Sequence, residues 1–215
     1  MPVNLPAWFV QHFAAARLAP YLVAAHRDGV SAADLYVWNL KIAEAFYAPL
    51  HCLEISLRNS LHEQLKLKFG QERWWLVAPL DDHDESKIRK AESDIQRRSA
   101  GTPCVDAIVA ELSFGFWVSL LSRRYDRRLW VPALHKGFPH YRGPREQLRD
   151  NLQAMVLLRN RIMHHEPIHH RHLAADHVKI YVLLGYLGPE LPVWLRTIDR
   201  VPETLALRPK AGSHA

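Results

Sequence analysis

Apolar residues recur at intervals of three and four along almost the whole chain, and no alternating apolar and polar run extends beyond a few residues. That spacing follows the 3.6-residue helical turn rather than the two-residue pleat, so the sequence predicts an all-α fold. Glycine and proline then divide the pattern into lengths. A first amphipathic stretch covers about 7–26 and breaks at Asp28-Gly29. Ser31 with Asp34 has the spacing of a capping-box start, and the pattern then runs to Phe69-Gly70, with Pro49 predicted to bend it or split it in two. Trp74 and Trp75 introduce a connecting segment that ends in DDHDES. A highly charged, solvent-facing helix follows and stops at Gly101, and Thr102-Pro103 reads as an N-cap followed by proline at the first helical position. The helix predicted from 103 to about 123 carries the dense apolar run ELSFGFWVSLL, where Gly115 is expected to mark a helix crossing too close for a side chain. After RRYDRR and a Pro/Gly-punctuated loop, helices are predicted at about 145–165 and 173–187. The expected architecture is one domain over residues 1–200, a bundle of six to eight helices, with a loose tail at 201–215.

Composition narrows the class. With 215 residues, 48% of them hydrophobic, the chain can bury a core without disulfide or metal staples. No run of about 18 apolar residues offers a membrane span, and no basic segment precedes the first apolar stretch as in a signal peptide, which points to the cytoplasm and away from a membrane partner. Cys52 and Cys104 stand far apart, outside any CxxC spacing, and are expected as small core residues. The net charge of +6 is carried mainly by arginine, 20 of the 28 basic residues. Arginine's planar fork suits phosphate or carboxylate, so the charge is compatible with a nucleic-acid partner as well as with an ordinary basic surface.

One arginine is placed oddly. On a helical wheel with Leu152 at zero, Leu148, Met155, Val156 and Met163 form an apolar stripe, and Arg159 falls at about 340°, within it. A guanidinium there costs several kcal/mol unless a carboxylate, a phosphate or a wet cleft receives it. On the earlier helix Glu54 falls at about 40° from Leu50, on the side of Leu57 and Leu61, and is the candidate partner. His164 lies about 140° around the helix from Arg159, so the two side chains diverge on one straight helix. They converge if the helix frays before Pro167, or if two copies face each other across a twofold axis.

Arg159-Asn160-x-x-x-His164 resembles the R-x(4–6)-H signature of the HEPN superfamily of all-α proteins. The ordered set LYVWNLKIAEAFYAPLHCLEISLRNSL, FGQERWW, ELSFGFWVSLL and RNRIMHHEPI resembles the Abi-like (abortive infection) family within it, over roughly residues 17–195. The resemblance implies a helical fold that commonly dimerises, with the two motifs apposed in a cleft. It also implies metal-independent endoribonuclease activity in bacterial phage defence or as a toxin, restrained by an antitoxin protein or small RNA. His164 would be the general acid/base, Arg159 would steady the phosphate, and Asn160 would hold the substrate or the histidine. His165 and Glu166 complete the family's HHEP form as supporting residues. The alternative is a catalytically silent dimer that binds RNA or a protein. No cofactor is implied.

Other features carry weaker signals. HHEPIHHRH is rich in histidine, yet it lacks HExxH and Pro167 interrupts helical pairing, so no metal site is predicted. His62-Glu63 opens like a zincin motif, but Lys66 stands where the second ligand belongs. Arg58-Asn59 echoes Arg159-Asn160 one residue too close to its histidine, and Arg58 joins Arg161 and the cluster Arg123, Arg124, Arg127 and Arg128 as residues that can contact an RNA backbone or simply face solvent. Trp74 and Trp75 are the better base-stacking candidates among the tryptophans, since Trp117 lies inside an apolar run.

Overall fold

A computed structural model describes residues 5–98 and 103–211, and every regular element within them is helical. The α-helices are α1 (Ala7–Phe13), α2 (Ala15–Asp28), α3 (Ala32–Ala45), α4 (Tyr47–Phe69), α5 (Asp82–Arg98), α6 (Val105–Glu111), α7 (Phe114–Ser119), α8 (Arg145–Met163), α9 (Leu173–Leu187), α10 (Glu190–Leu195) and α11 (Val201–Ala206). Eleven helices among the described residues exceed the expected six to eight, because local backbone breaks divide stretches that read as continuous and because α10 and α11 form beyond the last expected helix. Ala14, at φ 60°, separates α1 from α2. Leu112 turns extended after α6, and the Ser113 hydroxyl restarts the chain by accepting the Phe116 N–H at 3.3 Å, so the helix expected over 103–123 is two short ones. The predicted stop at Gly101 and restart at Thr102 lie outside the described residues.

Other boundaries follow the sequence. Ser31 caps α3 by accepting the Asp34 N–H at 3.3 Å. Gly29 and Gly70 close α2 and α4 in the left-handed region that suits glycine. Pro49 sits in the first turn of α4, where its missing N–H removes no intrahelical bond, and the break falls just before it, at Phe46.

Helix α4 is the hub. Leu50, Leu53, Leu57, Leu61 and Leu65 line its buried face, and it packs against α3, α7, α9 and α10. Behind it, α8 packs on α7 and α9. Gly115 does face α8, but an added methyl would meet Val156 at 3.7 Å, an ordinary contact, so the crossing does not exclude a side chain as expected. A glycine in closer contact with a neighbouring helix is Gly137. A Cβ there would stand 2.9 Å from the Ser60 hydroxyl, which donates to the Gly137 carbonyl at 2.7 Å.

Several expectations change. DDHDES is the opening of α5 rather than a connector, and that helix is not merely solvent-facing, since Asp84, Ile88, Ala91 and Ile95 bury one stripe of it. Trp74 and Trp75 are core residues, 0% and 6% exposed, and not stacking platforms. Cys104 is exposed at the start of α6, while Cys52 is half-buried. The domain does not loosen at residue 201. Val201 is fully buried, α11 packs on α3 and α9, and the Trp38 indole donates to the Thr204 carbonyl at 2.8 Å. No helix among the described residues is long and apolar enough to cross a membrane.

Candidate functional site

Tyr47, His51, Glu54 and Arg58 follow one another at intervals of four, three and four, which places them on one face of α4 beside its leucine stripe. Helix α8 faces them with Arg159 and Met163, and the two helices enclose a cleft of about 310 Å³. The apolar stripe of α8 ends one turn earlier than the wheel predicts. Leu152, Met155 and Val156 are buried, but Met163 is exposed and opens onto the cleft. Arg159 is therefore the first residue on that stripe to meet space instead of core.

Glu54 takes Arg159 as expected, with the Arg159 Nε 3.3 Å from its Oε2. It also takes Arg58, at 3.8 Å from its other oxygen. Two guanidinium groups sharing one carboxylate leave the cleft one positive charge in excess. A guanidinium carries five N–H donors, and the Arg58 Nε is buried without a hydrogen-bond partner. At the mouth, the Tyr47 ring stacks on His51, with centroids 5.9 Å apart and planes 17° from parallel. The sequence signal for His51 and Arg58 was their heptad-like spacing around Glu54. Arg58, expected either to contact an RNA backbone or to face solvent, lies in the cleft wall instead, and His51 carries no motif that points to it.

The far end of α8 is built differently. His164 caps the helix, its N–H bonded to the Asn160 carbonyl at 2.9 Å. His165 follows at φ 57°, its N–H bonded to the Ile162 carbonyl, while the Glu166 N–H reaches back to the Arg161 carbonyl at 2.8 Å. This is a Schellman ending with histidine in the left-handed position usually given to glycine, a substitution that costs about 1 kcal/mol. Arg17 of α2 holds the strained residue by donating to the His165 carbonyl at 2.6 Å. Arg161 pairs with Glu166 at 3.6 Å and also bonds the Pro167 carbonyl and the His170 Nε2. Arg161 and Glu166 thus shape the turn.

Within one chain, then, Glu54, Arg58 and Arg159 come together, and His164 does not join them. His164 and His165 are exposed outside the cleft, and Asn160 is half-buried beside them on the last turn. Among the basic cluster, Arg124 is occupied by Asp81 and Asp84, whereas Arg123, Arg127 and Arg128 are exposed with no ion pair among the described residues. His62 accepts the Trp74 indole N–H at 3.0 Å and serves the core. No three His, Cys, Asp or Glu side chains converge as a metal site among the described residues.

A second polar group escaped the sequence reading. Asp199 accepts from Tyr181 at 2.6 Å and from the Val201 N–H at 2.9 Å, and lies 2.6 Å from the His177 Nε2, beside an apolar groove of about 550 Å³. These contacts tie α9 to the start of α11. Comparison of the chain with models of known protein families, with curated proteins and with solved structures found no match.

Proposed function

We propose that the protein is an endoribonuclease of the HEPN type, working without a metal, in bacterial phage defence or as a toxin. The observation that carries this reading is Arg159. It is held by a carboxylate, it keeps spare donors, and it opens onto a cleft near the helix end that bears His164. In the proposed reaction His164 takes the proton of an RNA 2′-hydroxyl as that oxygen attacks the adjacent phosphorus. The bond from phosphorus to the 5′ oxygen breaks, the leaving oxygen takes up a proton, and the products end in a 2′,3′-cyclic phosphate and a 5′-hydroxyl. Arg159 steadies the developing charge on the phosphate oxygens, and Asn160 positions the substrate or the histidine. Because His164 stands outside the cleft of its own chain, the reading calls for a homodimer in which both Arg159 and His164 pairs line one groove. Arg123, Arg127 and Arg128, exposed and without an ion pair among the described residues, are cations available to an RNA backbone, and an antitoxin protein or small RNA is the expected restraint.

The exposure of His164 away from the cleft favours one other reading, a silent module that binds RNA or protein. The two separate in one assay. Purified protein and its His164→Ala variant are incubated with total bacterial RNA in excess EDTA, and fragment ends are analysed. Cleavage by the wild type alone, leaving cyclic phosphate ends, supports the ribonuclease. Intact RNA in both, with equal binding, sinks it in favour of the module.

A further inference from the structure

We infer that the cleft between α4 and α8 is a subsite for one unpaired nucleotide of an RNA strand, with its phosphate on Arg58 and Arg159 and its base stacked on Tyr47. The inference rests on the reading of RNA as substrate and adds which part of it this cleft holds.

Three observations on separate residues converge. The first is charge. Glu54 neutralises one of two guanidinium groups, and its bonds to them, at 3.3 and 3.8 Å, are long for charge-assisted contacts and leave both forks with unused donors. A phosphodiester brings the single negative charge that balances the cleft and the oxygens those donors lack. The second is the Arg58 Nε, buried without a partner in a side chain only 13% exposed. A buried donor left unbonded is costly, and an anion drawing the guanidinium towards the opening lets it regain a partner. The third is the aromatic pair at the mouth. Tyr47 is 58% exposed, although it begins the helix that forms the hub of the fold, and one face of its ring lies on His51. The near-parallel pair lines the cleft, and the exposure of Tyr47 leaves ring surface for a further aromatic. Nucleobases in single strands stack on such faces whatever their identity, whereas a paired base offers no free face.

The same residues argue against other ligands. Leu50, Ile55 and Met163 give the cleft apolar walls, but a lipid chain seated there would leave the two guanidinium groups without an anion, and a free dicarboxylate would leave the Tyr47 face unused. The arrangement also assigns different work to the two arginines that echo each other in sequence. Arg159 sits at the helix end that bears His164, so it serves the reacting phosphate, while Arg58, on the opposite wall, holds the strand as a positioning residue.

The test uses full-length His164→Ala protein and three probes made uncleavable by 2′-O-methylation. They are a single strand carrying one 2-aminopurine, the same strand with that base removed, and the blunt duplex. The expected result is tight binding and fluorescence quenching with the single strand, and at least tenfold weaker binding of the abasic strand and the duplex. Tyr47→Leu, at an exposed position that leaves the fold intact, reduces affinity for the intact strand five- to a hundredfold and removes its advantage over the abasic one, while Tyr47→Phe retains both. Arg58→Gln weakens both strands alike and lowers the slope of binding against salt by about one ion. Equal affinity for intact and abasic strands, or an unchanged Tyr47→Leu variant, overturns the subsite. If the wild type leaves RNA uncut in the cleavage assay while base-dependent binding persists, the ribonuclease reading falls and the subsite stands. If it cuts RNA and Tyr47→Leu binds and cuts as well as wild type, the subsite alone falls. Absence of binding to any strand removes it outright.

Discussion

Asp84 and Glu54 are both acids placed among arginines, and their surroundings differ in one respect that separates structure from site. Asp84 is 0% exposed and saturated. Lys87 and Ser119 donate to one oxygen at 2.9 and 3.1 Å, and Arg124 and the Tyr125 hydroxyl to the other at 2.7 and 2.9 Å. Those four donors come from α5, α7 and the turn after it, so the carboxylate ties three segments, and both of its oxygens are fully supplied. Glu54 meets two guanidinium groups at longer range, one of which keeps a buried N–H without a partner, and all of them face open volume. A saturated buried charge holds a fold together; an undersupplied one beside a cleft has capacity for a ligand.

The contrast breaks most directly at Asp84. Asp84→Ala leaves the buried Tyr125 hydroxyl without its acceptor and takes one partner each from Lys87, Ser119 and Arg124, and is expected to cost about 3–5 kcal/mol in urea unfolding, as for a buried ion pair deprived of one partner. A loss below about 1 kcal/mol would mean that the cluster is not a tie at all.

A buried polar group with no partner should show its cost through pH. His169 is 3% exposed, both of its ring nitrogens lack partners, and burial, with His170 beside it, pushes its pKa down to about 4. In the unfolded chain it titrates near 6.5, so between about pH 6.5 and 4 the unfolded state binds a proton that the folded state refuses. Stability is full above pH 6.5 and falls as pH drops through that window, by up to about 3 kcal/mol. His62 and His170 are also lowered by burial and add to the same slope, so the informative quantity is the difference between wild type and His169→Leu in urea titrations at pH 7.5 and 5. Parallel curves for the two proteins would refute the assignment.

The smallest effect on stability is expected at Glu54, and it sharpens the comparison most. Glu54→Gln keeps the size and removes the charge that orients Arg159. Because the pair is partly open to water, unfolding free energy should change by about 1 kcal/mol or less, while RNA cleavage falls at least tenfold. A stability loss matching that of Asp84→Ala, with cleavage unchanged, would make both acids structural and erase the distinction drawn between them.

Much of this could be read from residue order, and the reasons are local. The helical period needs only the spacing of apolar residues, and Ser31, Gly29 and Gly70 act on backbone groups within their own turn. The partnership of Glu54 and Arg159 was legible too, since an ion on an apolar stripe must find its opposite and few acids lie on facing stripes. The break at Ala14 was not legible, because alanine carries no breaking signal, and at Leu112 the dense apolar run hid the one local signal, the capping hydroxyl of Ser113. Nor was the fate of Trp74 and Trp75, which a connector would expose and the fold buries.

By itself, then, the sequence determined that the chain is helical, where several of its helices begin or end, and that Arg159 requires a carboxylate, a phosphate or a wet cleft. Only the tertiary structure decided that Arg58 shares that carboxylate, that His51 and Tyr47 stand at the same opening, that Asp84 is saturated and that His164 lies outside the cleft. Periodicity reports the face on which a side chain sits, whereas the supply of donors around a charge depends on residues brought together from distant segments and on how far apart their backbones stand.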